Sequence, residues 1–185
     1  MTTRILALPG SLRADSCNRR LLDAAVALAP DDVEVAVFEH LIDVPLFNQD
    51  TEDPAPAGVT ALRTALAASD ALLIATPEYN GSVPGVLKNA LDWLSRGDTI
   101  RDGVTGRPTA VIGATPGMWG TRIAQDHTRQ ILSNMGANVT YAPRVYLARA
   151  FEAFEDDGSL VHEIARTTLT AVLDALHEQV KSHVS

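Results

Sequence analysis

The chain has 185 residues, 46% hydrophobic and 21% charged, with a formal net charge of −8 at pH 7. These values suit one soluble globular domain with a sizeable core. They argue against general nucleic-acid binding, which needs a basic footprint. No apolar stretch approaches the roughly 18 residues that a membrane-spanning helix requires, so no membrane partner is expected.

The first residues, MTTRILALPG, lead straight into a strand pattern and carry no recognisable secretory signal. The single cysteine, Cys17, excludes an internal disulfide and fits a reducing, cytoplasmic setting. The first strand is expected over Ile5–Leu8. It stops at Pro9-Gly10, and a polar cluster follows: Ser11, Arg13, Asp15, Ser16 and Asn18. A helical pattern then runs over Asn18–Ala29. N–H groups at a helix start favour an anion. The Ser11 and Ser16 hydroxyls and the Asn18 amide are suited to donate to phosphate oxygens, and Arg13 adds a charge-assisted contact. The plainer alternative is that Ser16 simply caps the helix. The dinucleotide glycine fingerprint is missing, since only Gly10 is present. No P-loop lysine exists either, because Asn18-Arg19-Arg20 stands where it would be sought.

A second strand is expected over Val33–Phe38. NQDTEDPAPAG, residues 48–58, reads as an irregular connection or lid rather than a domain boundary. A helix over Val59–Ala68 and a strand over Ala71–Ala75 follow. That strand ends in ATPEYNGSVPGVLKNALDWL, residues 75–94, where Pro77 and Gly81 mark a turn and Pro84 suits a helix start. Such a turn can line a flat heteroaromatic ring; it can equally be a rigid turn before an ordinary helix over Pro84–Ser95. Leu87, Leu91 and Leu94 belong to the core pattern, and Trp93 to packing or an interface. A fourth strand, Thr109–Ala114, ends in GATPGMWGTRIAQ, where Thr115, Pro116, Gly117 and Gly120 make a close-approach loop. Trp119 is read equally as a cover for a bound ring or as packing beneath the loop. The remaining elements are a helix over Thr121–Met135, a strand over Val139–Val145 and a last helix over about Ser159–Val180. The apolar face of that helix is Val161, Ala165, Leu169, Val172, Leu176 and Val180.

Strand–helix alternation along the whole chain implies a doubly wound parallel sheet with helices on both faces. Ligands of such sheets sit outside the carboxyl ends of the strands. Other chemistries are weaker. Cys17 lacks an apparent partner histidine. HEIAR at 162 and HEQVK at 177 lack the second histidine of a zinc helix, and His40, His127, His162, His177 and His183 show no metal spacing. No metal site is expected. Glu152–Asp157 and Asp31-Asp32 read as solvated surface.

GSLRADSCNRRLL together with TPEYNGSVPGVLKNALDW resembles the NADPH-dependent FMN reductase family of flavodoxin-like proteins, which includes flavin, quinone, azo-dye and chromate reductases. GATPGMWGTRIAQDHTRQIL resembles the family's third region more loosely. The resemblance implies an α/β, flavodoxin-like three-layer sandwich: one FMN-binding domain over 1–185, with a five-stranded parallel sheet of order 2-1-3-4-5. By match to the motifs, Ser11, Arg13, Ser16 and Asn18 would hold the FMN phosphate. Pro77, Glu78, Tyr79, Asn80 and Gly81 would border the isoalloxazine, and Thr115, Pro116 and Gly117 would face it from the fourth strand. Met118-Trp119 is bulkier than expected there, and Pro9 replaces a more usual small residue.

The chemistry implied is hydride transfer from NADPH, with NADH possible, to the flavin, and two electrons onward to a small acceptor such as a flavin or quinone. No catalytic side chain is nominated. Assembly as a homodimer or homotetramer is implied; Trp93, Tyr141 and Tyr146 are read either as contacts from a neighbouring subunit at the flavin or as ordinary core packing. The alternative is a flavodoxin-type electron carrier that does not oxidise NAD(P)H.

Overall fold

The computed structural model describes residues 2–96 and 103–184, the side chains of 183 and 184 excepted; His183 is therefore outside the described side chains. The strands are β1 (Thr3–Pro9), β2 (Val33–Val37), β3 (Ala71–Ala75), β4 (Pro108–Ala114), β5 (Asn138–Val139) and β6 (Tyr146–Leu147). The helices are α1 (Cys17–Leu28), α2 (Ala57–Ala67), α3 (Gly85–Leu94), α4 (Arg122–Asn134) and α5 (Glu163–Val184). All strand pairs are parallel, in the order β2-β1-β3-β4-β5, with β6 also paired to β4. This is the expected flavodoxin-like order.

The alternation of side chains along each strand divides the core in two. Ile5, Ala7, Leu73 and Ile112 face α1 and α5, where Leu21, Leu22, Leu169 and Leu176 meet them. Leu6, Leu8, Leu72, Ile74 and Val111 face the opposite side and pack against Val59, Leu62, Leu66, Leu87, Leu91 and Leu132 of α2, α3 and α4. β3 and β4 are buried at every residue, which is why their sequences are continuous apolar runs. Edge strand β2 alternates, burying Val33 and Val35 and exposing Glu34 and Ala36.

Two expected elements differ. In place of a single strand over Val139–Val145 there are two short pieces at its ends, β5 (Asn138–Val139) and β6 (Tyr146–Leu147). β5 pairs with Pro108 and Thr109, and β6 with Gly113 and Ala114. Between them Pro143 has no N–H to give to a ladder, and the Arg144 guanidinium donates to Tyr141 O at 2.6 Å across the interruption. Likewise the last helix begins at Glu163, not Ser159. Leu160 instead forms an antiparallel bridge with Phe154, and His162 Nδ1 accepts the Ala165 N–H at 3.2 Å, so the chain turns before the helix starts. Val161 is consequently exposed and lies off the buried face.

The long connection before α2 is pinned rather than loose. Trp93 Nε1 and Asn89 Nδ2 both donate to Pro45 O, each at 2.8 Å, and Arg96 pairs with Glu52 at 2.7 Å. Among the described residues, no helix is long and apolar enough to cross a membrane.

Candidate cofactor site

The carboxyl ends of β1, β3 and β4 bring the three loops together. Gly10 joins the first two: its N–H donates to Ala75 O at 2.8 Å. A Cβ at this position would lie 3.0 Å from both Ala75 O and the Pro77 Cδ, so the close approach is built for glycine. Beyond Gly10 the chain runs exposed to Ser16, which caps α1; its Oγ accepts from Arg19 N at 3.4 Å. Arg20 N makes the first intrahelical bond, to Ser16 O, leaving the N–H groups before Arg19 open toward the loop. Ser16 is thus a cap, as the plainer reading had it, and sits at the mouth of an anion-favouring helix start.

Three arginines lie in or next to this loop, and among the described residues one of them, Arg13, has no partner for its guanidinium. Arg19 is bound by Glu39 and Asp23, whose hydrogen bonds and charge hold its pKa above the ordinary guanidinium value. Arg20 donates to Glu155 O at 2.9 Å and stacks 4.7 Å over the Phe154 ring. Arg13 is exposed and its guanidinium has no partner among the described residues; its backbone N–H donates to Ser11 Oγ at 3.2 Å. Asn18 is buried against the end of β4. Its Nδ2 donates to Ala114 O and its Oδ1 accepts from Ala114 N, both at 2.9 Å. One amide hydrogen remains for a ligand.

The β3 loop is a tight hairpin. Tyr79 and Ser82 exchange both backbone bonds, at 3.2 and 3.1 Å, around Asn80 and Gly81, whose φ angles are 53° and 68°. Two successive left-handed residues make a primed turn, the type that Asn-Gly favours. Tyr79 is half exposed, while Pro77 is buried at the base of the loop. The Glu78 side chain turns away from the hairpin: Oε2 accepts from Ile123 N at 2.9 Å and Ala124 N at 3.1 Å, at the start of α4. Ser82 Oγ lies 2.9 Å from His127 Nδ1 on the same helix.

The β4 loop closes the third side. Thr115 Oγ1 accepts from Gly117 N at 3.2 Å, Thr115 N donates to Leu147 O at 2.9 Å, and Arg149 N donates to Gly117 O at 2.9 Å. Pro116 and Gly117 are exposed. Trp119 is 73% exposed, which removes the reading that packed it beneath the loop. Trp93 is fully buried against Phe47, with ring centroids 5.0 Å apart, and is a core residue rather than a contact between subunits.

The structure therefore gathers Ser11, Arg13, Ser16, Asn18, Pro77, Glu78, Tyr79, Asn80, Gly81, Thr115, Pro116 and Gly117 onto the three loops at the strand ends. The donor set suits a flavin mononucleotide. A free guanidinium and open helix N–H groups match a phosphate, and the exposed hairpin offers backbone amides to a flat ring.

Sequence reasoning missed the buried network behind these loops. Gln125 Nε2 donates to Gly120 O, Thr121 Oγ1 and Val145 O at 3.0, 3.1 and 2.9 Å. Its Oε1 accepts from Arg129 Nη2, which also reaches Val111 O at 2.7 Å. Burial pulls the Arg129 pKa below the ordinary guanidinium value. Neither residue stands out in the sequence, because nothing local shows that this face is turned to the sheet. Among the described residues no group of side chains is arranged to hold a metal ion.

The chain matches the family described as NADPH-dependent FMN reductase over residues 3–152. It is 38% identical over 176 residues to a 2-hydroxy-1,4-benzoquinone reductase from Burkholderia sp, covering 94% of each chain. It is 37% identical to an NAD(P)H-dependent FMN reductase from Pseudomonas aeruginosa, covering 96% of this chain and 95% of that one. Among solved structures, the flavoenzyme NAD(P)H:(acceptor) oxidoreductase FerB from Paracoccus denitrificans superposes with a TM-score of 0.89 at 34% identity, over 98% of this chain and 99% of that one. Matched motifs, sheet order and full-length similarity lead to one assignment: the chain belongs to the NADPH-dependent FMN reductase family, whose members are oxidoreductases working with FMN and NAD(P)H.

Proposed function

We propose that this FMN- and NAD(P)H-dependent oxidoreductase reduces quinone-class acceptors, with the β1 loop holding the flavin phosphate and the β3 hairpin bordering the ring. The acceptor class rests on the relatives named for quinones, at 38 and 39% identity. The observation that carries the site is the Arg13 guanidinium, unpaired among the described residues, standing in the loop that opens α1 at the crossing between β1 and β3.

Bound FMN would supply the two-electron redox chemistry, and the chain would supply binding, alignment and electrostatics. Ser11, Arg13, Ser16 and the remaining Asn18 amide hydrogen would face the phosphate. Backbone groups of Pro77 through Gly81 would border the ring, with oriented N–H dipoles stabilising negative charge at its pyrimidine end. Thr115, Pro116 and Gly117 would face the same ring from β4. Nicotinamide and acceptor would use one exposed face in turn, giving ping-pong kinetics, with NADPH preferred to NADH.

A homodimer or homotetramer is the proposed assembly. Its support is the exposed apolar set at the α4 edge: Met118, Trp119, Ile123 and Tyr141. A cytoplasmic location fits the free thiol of Cys17 and the reduced nucleotide that the reaction consumes. The deciding experiment is anaerobic titration of the FMN-loaded protein with NADPH and with NADH. Bleaching of the flavin, reversed on adding a benzoquinone, supports the reading. Bound flavin that stays oxidised under both nucleotides ends it. Light scattering reports the assembly.

A further inference from the structure

Helix α4 spans 13 residues, and its own N-cap residue makes no side-chain capping bond. Thr121, at the cap position, has a left-handed φ of 57° and makes no capping bond; its hydroxyl accepts from Gln125 Nε2 instead. The Ile123 and Ala124 N–H groups, two of the four that any helix start leaves unpaired, are taken by Glu78 Oε2 from a loop 45 residues earlier. The carboxylate also lies at the positive end of the helix dipole. Glu78 directly precedes the Tyr79–Ser82 hairpin, and a second link follows at its far end, where Ser82 Oγ meets His127 Nδ1 at 2.9 Å. Helix α4 is itself anchored to the sheet by Gln125 and Arg129. The sheet thus holds α4, and α4 holds the hairpin at both ends.

We infer that Glu78 is a positioning residue: in capping α4 from outside, its carboxylate sets the Tyr79–Ser82 hairpin where the flavin ring binds. The inference deepens the proposed function and rests on it for the location of the ring. Glu78 contributes its backbone to the ring border and its side chain to α4. Without the cap, the hairpin must be ordered at the moment of binding, so a cost now met in folding is charged to affinity. The hairpin amides then meet the ring less well. Since they favour negative charge on the ring, the flavin becomes harder to reduce.

The test combines three measurements on Glu78→Ala, Glu78→Gln and the unaltered protein. Amide hydrogen exchange at Ile123 and Ala124, read by NMR without flavin, reports the cap. Dissociation constants for FMN and riboflavin report the loop. The midpoint potential of bound FMN reports the amides. In Glu78→Ala, protection of the two amides is expected to fall about five- to tenfold, the scale of one lost helix cap. FMN and riboflavin should weaken by a common factor of similar size, because the phosphate loop is untouched, and the potential should become more negative. Glu78→Gln keeps an acceptor oxygen and should recover most of each effect. If the alanine variant does not fold, Glu78→Asp, whose shorter reach strains the same contact, must move all three readouts in the same directions.

Unchanged exchange at Ile123 and Ala124 would overturn the cap. Lost protection with unaltered flavin affinity and potential would reduce Glu78 to a helix cap, overturning the positioning role while leaving the site intact. Failure of the unaltered protein to bind FMN would overturn both the site and the inference.

Discussion

Asn18 holds the main chain of Ala114 by both ends of its amide, donating to the carbonyl and accepting from the N–H at 2.9 Å each. The contact joins the first turn of α1 to the last residue of β4, so two of the three site loops leave from one fixed point. Replacing Asn18 with Leu would strand both backbone groups away from water. Each unsatisfied group costs about 1–3 kcal/mol, so a loss of about 2–6 kcal/mol is expected in urea denaturation. A loss below about 1 kcal/mol would mean the two loops are tied together elsewhere.

Arg13→Ala separates the phosphate from the ring. Arg19 and Arg20 are engaged by Glu39, Asp23 and Glu155, so neither is free to replace the lost charge. FMN affinity should fall by roughly 1.5–3 kcal/mol, the size of a hydrogen bond to a charged group, while riboflavin affinity stays near its starting value. Equal losses for both ligands would remove Arg13 from the phosphate. The Glu78 variants are expected to behave in the opposite way and weaken both ligands alike, so the two sets of substitutions report on different ends of the flavin.

Gln125 and Arg129 act as one unit. Arg129→Leu leaves Gln125 Oε1 and Val111 O without the guanidinium that now meets them. Gln125→Leu uncovers Gly120 O and leaves Val145 O only the Gly113 N–H. Each single variant should lose about 2–4 kcal/mol. The double variant should lose less than the sum, with a coupling of about 0.5–3 kcal/mol, as for residues sharing one buried network. Additive losses in thermal or urea unfolding would show that the two residues stabilise α4 independently.

Cys17 opens α1, but no hydrogen bond or ion pair joins it to a histidine among the described residues. Cys17→Ala should therefore keep at least about half of the quinone-reductase turnover, since no general base is placed to activate the thiol. Loss of turnover with FMN still bound would give the thiol a role in the chemistry.

Much of this architecture was legible in residue order. The apolar runs at Ala71–Ala75 and Thr109–Ala114 read as strands covered on both faces, and their alternation with helical patterns left a doubly wound sheet as the main option. That sheet in turn directed attention to the loops after β1, β3 and β4. The Asn-Gly pair at 80–81 carried its own turn chemistry. These features depend on neighbours a few residues apart, where chain connectivity dictates which groups can meet.

The destination of polar side chains was decided only in three dimensions. Glu78 bonds amides 45 and 46 positions away, and Asn18 bonds residue 114. Neither partner was visible in the residue order, because a carboxylate or amide in a loop has the same local pattern whatever it faces. The break between β5 and β6 was hidden for a related reason: Val139–Val145 has the composition of a strand, yet its pairing with β4 depends on which N–H groups reach that neighbour. Apolar periodicity determines which faces are buried, because burial averages over many residues. A single hydrogen bond depends on one partner in one place, and that place exists only once the helices have packed onto the sheet.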